Sequence, residues 1–505
     1  MEFYQTPFLF SLSQLAESTI IFSDGKKNLL AGDLYKKSIA LAVGLREKGF
    51  QENDRLVLIA PPGKEFLEIF FASSMLKGTL SIIDPEMGRD NFESKLKQID
   101  PQWMFIDSRL LFLREHPLLR SLYLKFSHRP FYFTFKNSAK VVATGKSLPL
   151  FGKHFRQSKI YTEPSRAISF GNDEDRELMV TYTSGTLAEP KGVVHSVGSL
   201  FSSLTKIKEI LSSTREVRIA AYLPHFLLFG ICSGNPVFLY NRNKPPKWII
   251  RFIEQNNITT LFGPPSFYLP LMGYCRKKQR LLPNSLQLII LGSAPVHPKF
   301  LEILYTNAPK HAKVLCLYGM TENLIISTID GKEKINSDFP GDVVGKPVEG
   351  ISMSMANDGE ILVQSPQLFS RYLHLSSRET PHHTGDLGYM APDGTLVLNG
   401  RKKDMIIRRD TNIYPAIYEK TIKNIPKISE AVMIGVYSEP KHDEEVILVV
   451  ESDNYSENEL MNLLRSGKYS IDHEALPDKI IFRKIPLSGR QQKIDRKTLR
   501  AELVV

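Results

Sequence analysis

Cysteine is scarce in this chain: three occur in 505 residues, Cys232, Cys275 and Cys316. Their odd count and wide spacing argue against a disulfide framework and against a cysteine metal centre, and favour buried free thiols in a reducing cytoplasm. Long hydrophobic runs are missing too. Stretches such as 56–60 and 446–450 fall far short of the roughly 20 residues that a membrane-spanning helix needs. The N-terminal segment mixes Glu2, Gln5, Ser11 and Glu17 with its apolar residues and shows no small-residue cleavage pattern, so no secretory signal is expected. Internal repeats and low-complexity tracts are also lacking. Acidic residues are absent from one long stretch, 116–162, which nevertheless carries many Lys and Arg interleaved with Tyr123, Phe126, Phe131, Tyr132, Phe133 and others.

What is present is an ordinary globular composition, 42% hydrophobic and 24% charged with a net charge of +11. A chain of this length exceeds what one core usually carries and predicts at least two domains. Short apolar runs alternate with amphipathic segments from the start. Asp33 can cap a helix with Leu34, Leu41 and Leu45 on one face, closed by Gly49. Strands are expected at 55–60, 80–83 and 103–106, with a helix over 66–76. This alternation predicts an α/β fold of parallel-rich sheets covered by helices on both faces. A domain boundary is expected near Gly400, where Arg401-Lys402-Lys403 follows a turn and a short apolar stretch. Residues 1–400 then form a large domain and residues 401–505, whose charges nearly balance, a small α/β lid.

Two segments far apart carry the strongest chemical signal. Thr183-Ser184-Gly185-Thr186-Leu187-Ala188-Glu189-Pro190-Lys191-Gly192 follows the apolar run Leu178-Met179-Val180, as suits a strand that delivers a loop whose amides and hydroxyls wrap phosphate oxygens. It is not the nucleotide loop that ends in Gly-Lys-Ser/Thr, because its lysine follows a proline. The second segment runs from Ser488 to Arg496 and contains Lys493. Between them lie Leu317-Tyr318-Gly319-Met320-Thr321-Glu322, Thr384-Gly385-Asp386 and Gly400 to Ile407. Each has a bland alternative. Thr and Asp favour caps and turns, an aromatic after an apolar strand is commonly core, and a cationic tail is commonly a solvated face. Their ordered co-occurrence favours function for the set.

On these motifs the chain resembles the adenylate-forming superfamily of acyl-CoA synthetases, luciferases and peptide-synthetase adenylation domains, over about residues 25 to 500. The resemblance implies ATP, Mg²⁺ and CoA as cofactors. Thr183, Ser184, Gly185, Thr186 and Lys191 would cradle the β- and γ-phosphates. Tyr318, with Gly319, would pack on adenine, and Gly292-Ser293-Ala294-Pro295 would form the opposite wall. Thr321 would approach the α-phosphate and Glu322 would hold Mg²⁺, a hard ion that takes oxygen ligands. Asp386 would grip the ribose hydroxyls with Arg401 beside it. Lys493 would reach the carboxylate and α-phosphate in the transition state, where two anions are forced together and positive charge has to be concentrated. The small domain would swing about a hinge near Lys403 so that one mobile lid serves two half-reactions.

The segments 223–230 and 262–266 correspond in the resemblance to acyl-pocket walls. They are strongly apolar, which points to a fatty or otherwise hydrophobic acid. With Ile83 to Gly88, the pattern looks most like fatty acid-CoA ligase relatives, including the β-lactone synthetases of olefin biosynthesis. Departures from the family pattern are Leu187-Ala188 in place of Thr-Gly, Leu227 in place of a histidine, Asp410 in place of a glycine on the thiol channel, and Gln492 in place of a glycine. Three readings follow. The first is acyl-AMP formation and transfer to CoA or a carrier thiol. The second is adenylation of a 3-hydroxy acid with internal β-lactone closure, and the third is a degenerate nucleotide- or acyl-binding protein. The basic and aromatic stretch 116–162 fits a strand with a solvated positive face, peripheral membrane contact, or the phosphates of a CoA or carrier arm; no nucleic-acid module is matched.

Overall fold

The computed structural model describes every residue except 1, 25–26, 85–88, 128–137, 146–147, 149–154, 164–168, 173–174, 183–190, 213–215, 223–225, 242, 409–410, 439–442, 467, 470, 473–474, 489–492 and 504–505. Among the described residues two large sheets dominate. The first has eight strands in the order Arg371–Tyr372, Gly192–Ser196, Glu177–Tyr182, Thr79–Ile82, Arg55–Ile59, Trp103–Asp107, Lys140–Thr144 and Phe155–Arg156. It is parallel from Glu177–Tyr182 onward and antiparallel at the other edge.

The second sheet has thirteen strands. A parallel run joins Ile20–Ser23, Val237–Leu239, Ile219–Ala221, Thr260–Gly263, Leu288–Leu291 and Lys313–Met320. Beyond it the sheet turns antiparallel through Asn323–Asp330, Asp342–Pro347, Leu396–Arg401 and His382–Met390. The α/β expectation holds, with one refinement: the antiparallel half carries most of the candidate site. Strands buried on both faces, such as Trp103–Asp107 and Leu288–Leu291, read as continuous apolar runs and need a cover on each side.

The predicted early elements are found at Arg55–Ile59, Lys64–Met75, Thr79–Ile82 and Trp103–Asp107. The first predicted helix spans Ala31–Glu47, and its N-cap is Leu30 rather than Asp33. Asp33 instead lies in the first turn, where a carboxylate complements the helix dipole. Gly49 closes the helix at φ +86°, a conformation that suits glycine.

After residue 405 the chain builds a separate small sheet, Glu430–Ser438 against Asp443–Glu451 with Lys479–Phe482 parallel to the latter. Its apolar cluster draws on residues from Ile406 to Ile480. Arg496 ties this unit together. It pairs with Glu419 at 2.6 Å, approaches Asp404 at 3.7 Å and donates to the Met433 carbonyl at 2.8 Å.

The acid-free stretch is not one strand. It contains the helix Pro117–Ser127, which exposes Leu118 (84%), Leu119 and Leu122, and the strand Lys140–Thr144. Tyr161 is turned inward, with its hydroxyl 2.5 Å from Glu68 Oε2. Cys232, Cys275 and Cys316 are free and buried, as expected, and burial pushes the Cys232 and Cys316 thiols up to about 12. No described helix is long and apolar enough to cross a membrane.

Burial also lowers His195, His297 and His382, each to about 4. A histidine depressed from 6.5 in the folded chain is held neutral there, and the unfolded chain takes up its proton first as pH falls. The stability these rings contribute is therefore complete above about pH 6.5 and is lost between there and about pH 4. Thermal unfolding followed by circular dichroism should show the melting temperature falling across that window. His195→Gln should flatten the fall, since His195 is fully packed and touches Thr181 Oγ1 at 2.9 Å.

Candidate active site

The hairpin formed by Lys313–Met320 and Asn323–Asp330 sets the centre of the site. Met320 pairs with Asn323, so Thr321 and Glu322 form a two-residue turn. An irregularity between Tyr318 and Met320 brings Gly319 against the opposite strand. A Cβ at Gly319 would lie 2.0 Å from the Leu324 carbonyl oxygen, so no other residue fits there. Glu322 is 6% exposed. Its carbonyl accepts from the Phe369 amide at 2.9 Å, and its Oε1 accepts from the Tyr372 hydroxyl at 2.9 Å. Lys191 places its Nζ 5.2 Å from the centre of the same Tyr372 ring. Lys191, Tyr372 and Glu322 thus form one continuous group, although they come from three parts of the chain.

Asp386 lies on His382–Met390 directly after Gly385, which adopts φ +72°. Thr384 and Glu360 hold this bend: Thr384 Oγ1 accepts the Asp386 amide at 3.1 Å and Glu360 Oε1 accepts the Gly385 amide at 2.9 Å. Asp386 is 3% exposed. Its Oδ2 accepts from the Tyr318 hydroxyl at 2.6 Å and its Oδ1 is 2.6 Å from Arg401 Nε, its register partner on the adjacent strand. Burial raises the Asp386 carboxyl above 3.8, against the opposing pull of Arg401 and the Tyr318 hydrogen bond. Burial, reinforced by Asp386, pushes the Tyr318 phenol well up, so that hydroxyl stays a donor.

Lys493 stands on a short hairpin in which it pairs with Ser488. Its side chain opens to solvent, yet enough protein surrounds its ammonium to lower its pKa. Desolvation acts first, then Arg401 and Lys403, with Asp386 pulling the other way. Tyr318, Asp386 and Arg401 therefore meet in contact, and the charges of Arg401, Lys403 and Asp386 are felt at Lys493. Gly292-Ser293-Ala294-Pro295 leaves the end of Leu288–Leu291, with Ser293 at φ +67°. A Cβ at Gly292 would lie 3.3 Å from the Phe262 ring and 3.6 Å from the Leu317 carbonyl, which places this wall beside the Tyr318 strand. Phe226 packs on Phe262 at 4.6 Å, giving this neighbourhood an apolar side. Leu227 and Leu228 are core residues.

Thr183, Ser184, Gly185, Thr186, Leu187, Ala188, Asp410, Gln492 and the segments 85–88 and 223–225 lie outside the described residues. Sequence reasoning missed Tyr372 and Glu360. Tyr372 sits on a two-residue edge strand with no periodic signal. Glu360 reads as an ordinary strand acid, yet it is buried and gathers Gly385, His383 and Lys402. Burial would raise its pKa, but these partners outweigh that and hold it below 4.5.

An oxygen-ligated divalent cation fits this donor set. No group of three or more His, Cys, Asp or Glu suited to a metal occurs among the described residues. Glu322 offers a single buried carboxylate beside the Thr321 hydroxyl. That suits Mg²⁺, which keeps several waters and is usually held by one or two carboxylates together with substrate phosphates.

Known proteins share this architecture. A feruloyl-CoA synthase from an Amycolatopsis species is 25% identical over 442 residues, covering 82% of this chain and 81% of the relative. The structure of o-succinylbenzoate CoA synthetase from Bacillus subtilis in complex with its acyl-adenylate intermediate superposes with a TM-score of 0.76 at 20% identity, covering 99% and 98% of the two chains. The amide bond synthetase McbA from Marinactinospora thermotolerans gives a TM-score of 0.78 at 17% identity, covering 98% of this chain and all of the other. The AMP-binding enzyme family model matches residues 13–373, and the chain belongs to that family.

Proposed function

We propose that this chain uses ATP to convert a hydrophobic carboxylic acid to acyl-AMP and pyrophosphate, then passes the acyl group to the thiol of CoA or of a carrier protein. The observation that carries the reading is the contact of Tyr318 and Arg401 with the buried Asp386, next to the Lys191, Tyr372 and Glu322 group. In the first half-reaction a carboxylate oxygen bonds to the α-phosphorus, and the bond to the bridging oxygen breaks with its electron pair leaving on pyrophosphate. Asp386 and Arg401 orient the ribose, Tyr318 and the Gly292 to Pro295 wall hold adenine, and Lys493 offsets the charge that accumulates between carboxylate and phosphate. When bound, Mg²⁺ supplies charge neutralisation at the phosphate oxygens from its place on Glu322. In the second half-reaction a thiolate attacks the acyl carbon and AMP departs. The chain beyond Lys403 turns about that residue between the two steps, which removes Lys493 after adenylation. Phe226 and Phe262 support an apolar acyl site, and the exposed Leu118, Leu119 and Leu122 on a helix that also carries Arg120 support peripheral contact with a membrane surface.

The test is pyrophosphate release with ATP and Mg²⁺ across saturated, 3-hydroxy and aryl acids, each with and without CoA, with products identified by mass. A CoA-dependent thioester of an apolar acid is the expected product. Turnover to AMP without CoA, yielding acid mass minus water, would replace thiol transfer by internal closure.

Tyr372→Phe probes the metal arrangement. It removes the donor that fixes Glu322, and outer-shell partners of this kind are worth about 10–100-fold in metal affinity. The Mg²⁺ concentration for half-maximal pyrophosphate release should rise about tenfold, while the KM for the acid is unchanged. An unaltered Mg²⁺ titration would remove Glu322 from the metal site.

A further inference from the structure

The small unit that carries Lys493 meets the thirteen-stranded sheet through the helix Pro415–Lys423. The helix starts beside Leu396–Arg401, where a Cβ at Gly400 would sit 3.5 Å from the Ala416 Cβ. One turn further on, Lys420 reaches across, and its Nζ donates to the Gly341 carbonyl at 2.9 Å. That acceptor is firmly placed. Gly341 adopts φ +123°, and a Cβ there would lie 2.7 Å from the Leu398 carbonyl oxygen, so its backbone is pressed onto the strand that ends at Arg401. Asp342 pairs in register with Leu398, and its Oδ1 is 2.6 Å from Lys334 Nζ. Lys334, 3% exposed, also donates to the Val343 carbonyl at 2.7 Å.

Lys334 thus offsets the Asp342 carboxylate and leaves the Gly341 carbonyl to Lys420. Desolvation is the main cause that lowers the Lys420 ammonium below 10.5; Asp342 opposes it and Lys334 adds to it. A cation that has given up water needs the acceptor it has found, which favours the docked position of the helix. The same helix grips the Lys493 hairpin. Glu419, 5% exposed, accepts the Met433 amide at 2.6 Å through Oε1 and pairs with Arg496 at 2.6 Å through Oε2. Arg496 stands three residues after Lys493. The helix therefore cannot shift on the large sheet without carrying the Lys493 segment with it.

We propose that Lys420 is a positioning residue for the first half-reaction: its bond to the Gly341 carbonyl latches the lid in the orientation in which Lys493 serves adenylation, and it breaks when the lid turns for thiol transfer. The inference rests on the two-step reading given above.

Lys420→Met removes the donor and keeps the length of the side chain. Pyrophosphate release at saturating ATP and acid should slow about tenfold, the lower end of what losing a hydrogen bond to a charged group costs. ATP affinity by equilibrium titration should stay within about twofold, and thioester formation from synthetic acyl-AMP should be at least as fast as in the parent. Lys420→Arg, which retains a donating cation, should recover most of the rate. Because the latch acts through Lys493, adding Lys420→Met to Lys493→Ala should slow release by less than about twofold more. Lys420→Gln, one bond shorter and still polar, gives the same readings should Lys420→Met fail to fold. Lys493→Ala releasing pyrophosphate at the parent rate would overturn the two-step reading and the latch together. With Lys493→Ala slow, the latch alone is overturned by any of three results: parent-rate release in Lys420→Met, equal slowing of both half-reactions, or a full tenfold further loss in the double variant.

Discussion

Replacing Lys493 by alanine is expected to slow acyl-adenylate formation by about 10²–10³-fold, the usual cost of removing one preorganised group that stabilises transition-state charge. ATP affinity, measured by equilibrium titration, should change little, because Asp386, Arg401 and Tyr318 remain in place. The thioester half-reaction, started from synthetic acyl-AMP, should also be nearly unaffected if the lid carries Lys493 away before the thiol arrives. The pH profile offers an independent check. Desolvation, Arg401 and Lys403 together lower the lysine below 10.5, and a lowered lysine loses its proton earlier as pH rises. The alkaline limb of the adenylation rate should therefore fall below the ordinary lysine range and vanish in Lys493→Ala. Equal loss in both half-reactions, or a limb that persists in the variant, would remove Lys493 from the adenylation step.

Asp386→Ala should raise the KM for ATP by about 30–100-fold, on the order of 2–3 kcal/mol for hydrogen bonds to a charged group. Its two oxygens already hold Tyr318 and Arg401 at 2.6 Å each. The substitution therefore removes the ribose contact and also frees both neighbours that shape the adenine slot. Asp386→Asn keeps the volume but loses the charge opposite Arg401, so an intermediate increase is expected. The KM for the acid should stay within about twofold, since the apolar wall at Phe226 and Phe262 does not touch Asp386 in the contacts described above. Comparable rises in both constants would show that Asp386 supports the fold rather than the nucleotide.

How much of this was legible before folding differs between elements. The strands Arg55–Ile59 and Trp103–Asp107 and the helix Lys64–Met75 follow from local apolar periodicity, which depends on near neighbours in sequence. The Leu30 cap was not legible, because a cap without a side-chain hydrogen bond leaves no residue signature. Tyr318, Glu322, Asp386, Arg401 and Lys493 could be named as a set because the order and chemistry of their motifs are local properties of the chain. Their pairing could not be read. Tyr318 reaches Asp386 across 68 positions, and only the thirteen-stranded sheet brings their strands together.

The sequence by itself determined the α/β class, the family resemblance and the chemical character of the candidate site, since these reside in periodicity and in short motifs. Tertiary structure alone decided that Tyr372 fixes Glu322 and that Glu360 braces the Gly385 bend. Burial and hydrogen-bond satisfaction are set by what the fold places around a group, and no local pattern in the chain encodes them.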